Sequence, residues 1–134
     1  MASTTIAAPF FMFQDGKAEE ALNYYIKIIP NSNIQSITRY GAGEHGQEGS
    51  IKVAHATVGG LHIMAIDSPI QHQFNFTPSL SLYITLPDEE TITEVSKQLA
   101  DGGMERMPLG EYGFSKKYAW VEDRFGVSWQ LNLD

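Results

Sequence analysis

Apolar and polar residues alternate most cleanly in two stretches of this chain. In Ser79-Leu-Ser-Leu-Tyr-Ile-Thr-Leu86 every second residue is a hydroxyl-bearing side chain. In the C-terminal run, Val127, Trp129, Leu131 and Leu133 alternate with Ser128, Gln130 and Asn132. A period of two predicts strands with one buried and one open face. Asp123-Arg-Phe-Gly126 before the second run predicts a tight turn back to a strand ending at Val121. Glycine there carries the positive φ at least cost.

The earlier chain reads in the same terms. Residues 1–7 are a loose lead-in, and Ala8 to Phe13 is a first strand with Pro9 at its start. Ala18, Ala21, Leu22, Tyr25 and Ile29 recur at helical spacing, with Glu19 and Glu20 at the positive end of the helix dipole. Ile34 to Tyr40 is a strand and Gly41 to Gly49 a glycine-rich loop. Ile51 to Val58, Gly59-Gly60 and Leu61 to Ile66 form a hairpin. An aperiodic connection, Asp67 to Pro78, precedes the strand over 79–86. Asp88 then caps a helix carrying Ile92, Val95 and Leu99, which Gly102-Gly103 stop. A short strand over Met104 to Met107, a loop over Leu109 to Ser115 and the terminal hairpin complete the chain.

Strand, helix, strand, loop and hairpin thus occur twice. The fold class is α+β, with two βαβββ modules at about 8–67 and 79–133 inside a single domain spanning 1–134. Each module has an apolar face that must be covered, so the two are expected to pair.

Composition narrows the function. The 134 residues carry a net charge of -7 and no cysteine. Only Lys116-Lys117 are adjacent bases, which argues against nucleic acid. Disulfides, thiolate nucleophiles and cysteine-ligated metals are excluded. No apolar run approaches the roughly 20 residues that span a bilayer, and no secretory leader pattern is present, so no membrane association and a cytoplasmic location are expected.

Four local patterns, in this order of modules, carry a resemblance: Asp15-Gly-Lys-Ala-Glu-Glu-Ala-Leu-Asn-Tyr-Tyr25, His55-Ala56, Met64-Ala-Ile-Asp67 and Asp123-Arg-Phe-Gly-Val-Ser-Trp-Gln130. Together they resemble the PhnB-like branch of the vicinal oxygen chelate superfamily, which includes glyoxalase I and the fosfomycin and bleomycin resistance proteins. The resemblance covers about Pro9 to Leu133. It implies a glyoxalase-like fold: a cupped, mostly antiparallel sheet with helices outside, a ligand inside and a homodimer. The superfamily's metal ligands are His and Glu on the first and last strand of each module. The matching positions here are Met64, Gln130, Ser79 and Pro9 or Phe10, and none is His, Asp or Glu. No cofactor and no metal at those positions are therefore expected.

Strand parity turns His62 and Met64 to the open face of the first module, with His55 on the paired strand. In the second module it turns Ser79, Ser81, Tyr83, Ser128 and Gln130 that way. These eight are the ligand-binding candidates. Neutral hydroxyls and amides beside aromatics suit a small, mostly apolar ligand held by a few oriented hydrogen bonds. A replacement metal site around His55 and His62 is the alternative, which would make the protein a lyase-, isomerase- or dioxygenase-type enzyme. Glu44, Glu48 and Glu111, in the glycine-bearing loops, are candidate acids or bases set against plain solvated loop charge. Some relatives carry a ubiquinone-methyltransferase label, but the chain has neither a dinucleotide-type fingerprint nor a long parallel α/β pattern for a methyl donor.

Overall fold

The computed structural model describes residues 4–134; the lead-in expected over 1–7 lies partly outside them. The chain divides into two compact units, residues 1–72 and 73–134. In the first, β1 (Phe10–Phe13), α1 (Ala18–Ile28), β2 (Asn33–Arg39), β3 (Ile51–Val58) and β4 (Leu61–Asp67) follow in order. In the second, β5 (Ser81–Thr85), α2 (Glu89–Ala100), β6 (Met104–Gly110), β7 (Lys117–Glu122) and β8 (Ser128–Leu133) repeat that order.

Each unit is a four-stranded mixed sheet with one helix. The strand orders are β1-β4-β3-β2 and β5-β8-β7-β6. First and last strands of a unit pair parallel, and the other pairs are antiparallel. The expected βαβββ repeat is the observed one. Several boundaries differ from the sequence reading. Strands β1 and β5 begin at Phe10 and Ser81, each two residues late, and β6 runs on to Gly110 despite Pro108. β6 is an edge strand of its sheet, where a proline's missing N–H is tolerated.

The helix-side core follows the periodicity. Ala18, Ala21, Leu22, Tyr25 and Ile28 of α1 are buried, as are Ala54, Ala56, Ile63 and Ala65 of the strands behind it. In the second unit Ile92, Val95 and Leu99 of α2 meet Ala119, Val121, Trp129 and Leu131, all buried. Burying each large side chain contributes about 1.5–3 kcal/mol, so this alternation sets the register.

Two buried carboxylates tie each sheet to its turns. Asp67, ending β4, accepts the Ala18 N–H at 2.8 Å through Oδ1 and the Ile51 N–H at 2.8 Å through Oδ2. It thereby caps α1 from 49 residues away, since Lys17 at the N-cap position makes no side-chain cap. α2 is capped locally, Asp88 Oδ1 accepting the Thr91 N–H at 2.8 Å, as the sequence predicts. Asp123 holds the last turn: Oδ1 accepts the N–H groups of Phe125 and Val127, and Oδ2 accepts the Trp129 indole N–H at 2.8 Å. Gly126 closes that turn at φ +90°. No helix among the described residues is long and apolar enough to cross a membrane.

Candidate functional site

With the apolar side chains of β8 under α2, Ser128, Gln130 and Asn132 take the opposite face of the second sheet. Register then brings partners beside them. Ser81, Tyr83 and Thr85 of β5 stand next to Ser128, Gln130 and Asn132. On the other flank, Glu122, Trp120 and Tyr118 of β7 pair with the same three residues.

The side chains form one connected network. Tyr118 donates its hydroxyl to Gln130 Oε1 at 2.6 Å. Gln130 Nε2 reaches Ser81 Oγ at 3.4 Å, and Ser81 and Ser128 share a hydroxyl hydrogen bond at 2.6 Å. The Trp120 indole N–H donates to Ser128 Oγ at 2.9 Å. Asn132 lies at the end of this face; its Nδ2 donates to Asp134 Oδ1 at 2.9 Å, while its buried Oδ1 has no partner.

Aromatic rings flank the network. Phe114 and Tyr112 set their rings edge-on to Tyr118 at centroid distances of 4.9 and 5.9 Å. Arg106 lies 5.5 Å from the Trp120 ring and pairs with the Glu122 carboxylate, so its charge is already neutralised. Tyr118 is buried, whereas Tyr83 and Phe114 are 57% and 62% exposed. Burial, followed by the neighbouring Tyr83 and Tyr112, holds the Tyr118 hydroxyl above the ordinary phenol range. It stays a donor at neutral pH.

Four of the eight candidate residues, Ser81, Tyr83, Ser128 and Gln130, are thus brought together. Ser79 precedes β5 and shares a hydrogen bond with Thr77 at 2.9 Å, outside the network. His55, His62 and Met64 share the open face of the first sheet, where Met64 is the register partner of His55. Tyr118 and Trp120 were not among the candidates. The signal for them was present, since they share a parity opposite to Ala119 and Val121 on β7.

The positions matching the superfamily's metal ligands do not suit a divalent ion. Gln130 has its amide oxygen engaged by Tyr118, and Met64 stands beside Phe10 of β1. The donors offered are a neutral amide and a thioether, without the anionic oxygens a hard cation requires. Glu44 is a poor base as well. It accepts from Lys52 Nζ and the Gly41 N–H, both at 2.6 Å, which holds its carboxyl below the usual range. Glu48 and Glu111 are exposed loop residues.

Residues 5–132 match the profile of a family described as 3-demethylubiquinone-9 3-methyltransferase. The chain belongs to that family, the PhnB-like branch of the vicinal oxygen chelate superfamily. A PhnB protein from Bacillus cereus is 47% identical over 97% of this chain and 100% of its own, with a TM-score of 0.91. Protein PA1353 from Pseudomonas aeruginosa has the same fold at 23% identity, covering 98% of each chain, with a TM-score of 0.82. A glyoxylase/bleomycin resistance protein/dioxygenase domain from Frankia sp. EAN1pec shares it at 16% identity over 98% of this chain and 93% of its own, with a TM-score of 0.68. A search of curated proteins finds no match.

Proposed function

We propose that this PhnB-like protein binds a small, neutral, ring-bearing molecule on the open face of its second sheet. The observation that carries the reading is the hydrogen-bonded chain Tyr118–Gln130–Ser81–Ser128–Trp120, flanked by exposed aromatic rings. Four facing hydroxyl and amide groups are held in fixed orientations by one another. A ligand therefore finds them ordered beforehand, which lowers the entropic cost of binding. The face offers ring surfaces and dipoles, and its Arg106–Glu122 ion pair is self-neutralised. The unpartnered Asn132 Oδ1 adds one acceptor, favouring a ligand that brings a hydroxyl or N–H donor.

The family's methyltransferase description does not enter this reading. What supports setting it aside is the architecture: two mixed four-stranded sheets, without the doubly wound parallel sheet and glycine-rich first turn that seat a dinucleotide-like donor.

A homodimer in the cytoplasm is part of the proposal. Phe10, Ile70, Phe74 and Leu80 are each more than half exposed in the single chain, and a second copy would cover such a surface. Light scattering at micromolar concentration checks this, a monomer being the contrary result. Ligand binding is tested by denaturing protein isolated from its native cell and identifying released small molecules by mass spectrometry. A neutral ring compound released by the wild type and absent from Gln130→Ala supports the proposal. Equal release by both proteins overturns it.

A further inference from the structure

We propose that His55 and His62, with the Met64 thioether beside them, form a copper site on the open face of the first sheet. The site belongs to the first unit, and its test stands apart from the reading of the network on β5, β7 and β8. His55 Nδ1 and His62 Nε2 are 3.0 Å apart, the ring centroids are 5.2 Å apart and the planes differ by 7°. The centroid separation exceeds the N···N distance by nearly two ring radii. Both nitrogens must then lie close to the line joining the ring centres. The rings meet edge to edge in almost one plane, and their ring nitrogens oppose each other along one line, the arrangement of a hydrogen bond between the two imidazoles.

A metal ion competes with that hydrogen bond for the same line. With imidazole nitrogens at about 2.0–2.1 Å from the ion, an ion bridging two opposed rings needs them about 4 Å apart. The pair therefore has to open by about 1 Å, giving the linear pair of nitrogens that copper(I) accepts. His62 is exposed, so its ring has room to draw back along that line; His55 is half-buried within the sheet. Met64 is the register partner of His55 and lies two residues beyond His62 on the same face. Cross-strand partners bring Cβ atoms to about 4.5–5.5 Å, within reach of a flexible thioether. Among the described residues no group of three or more His, Cys, Asp or Glu is placed to hold a metal, so hard cations lack the oxygens they need. Two imidazoles and a thioether select copper, which also heads the affinity order of first-row divalent ions.

The test is titration of tag-free protein with copper sulfate, followed by electron paramagnetic resonance, and of copper(I) against a chromophoric chelator. The expected result is one tightly bound copper per chain with hyperfine coupling to two nitrogens. His62→Asn, at an exposed position, should lose that signal with an unchanged circular dichroism spectrum. Met64→Leu should weaken copper(I) at least about tenfold, and Gln130→Ala should leave copper binding untouched. Copper retained at wild-type affinity in both His62→Asn and His55→Gln would assign it to His45, His72 or the chain terminus and overturn the proposal. So would titration without a saturable first equivalent.

Discussion

Tyr118 on β7 donates its hydroxyl to the Gln130 amide oxygen on β8 across 2.6 Å, reaching diagonally past its own register partner Asn132. That bond fixes the amide, so Gln130 Nε2 points toward Ser81. Tyr118→Phe removes a donor and leaves the acceptor half-buried. The expected cost is about 1 kcal/mol, read by urea unfolding, together with weaker binding of any ligand that Gln130 orients.

The same hydroxyl makes stability depend on pH. Burial, then Tyr83 and Tyr112, raise the Tyr118 value above its ordinary 10.0. A phenol that keeps its proton longer when folded contributes stability that is whole below about pH 10 and is lost as pH rises through the folded value. Urea unfolding across that window should show stability falling more steeply in the wild type than in Tyr118→Phe. Parallel slopes would contradict this.

Asp123 and Asp67 are structural carboxylates with different loads. Asp123 satisfies two backbone N–H groups and an indole, and Asp67 two backbone N–H groups. Each orphaned buried donor costs about 1–3 kcal/mol. Asp123→Ala should therefore destabilise by about 3 kcal/mol or more, and Asp67→Ala by slightly less. Calorimetric melting checks the order, which reverses if the caps are incidental.

Gly103 and Gly43 separate packing from backbone strain. A Cβ on Gly103 would overlap the Glu122 carbonyl oxygen and the Asp123 backbone, neither of which has room to move. Gly43 sits at φ +82° with nothing within 4 Å. Gly43→Ala should cost about 1 kcal/mol through strain alone, and Gly103→Ala considerably more, as midpoints of thermal unfolding would show.

The repeat was legible because each buried face writes a period into the sequence: Trp129 and Leu131 against Gln130, and Ala21, Leu22 and Tyr25 along α1. Local chemistry was legible too, in Asp88 and in the Asp123–Gly126 turn. The Asp67 cap on Ala18 was not, because its two partners are brought together only by the packed fold. The roles of Tyr118 and Trp120 are hidden in the sequence for a related reason. An aromatic residue reads equally as core or as open-face wall until the register of β7 against β8 assigns its side. The sequence placed Ser79 in a strand by alternation alone, but β5 is paired only as far as Ser81, opposite the start of β8 at Ser128.

The most direct measurement is a nitrogen-15 correlation spectrum that follows the Trp120 indole N–H and the Gln130 side-chain amide during titration with neutral ring fragments, phenol and indole being the simplest. The account predicts saturable shifts of both signals together. The Trp129 indole, buried and held by Asp123, should stay nearly still, and the Trp120 shift should vanish in Gln130→Ala. Fragments that bind while leaving Trp120 and Gln130 unmoved, or that bind Gln130→Ala equally well, would contradict the claim that this face is the binding site.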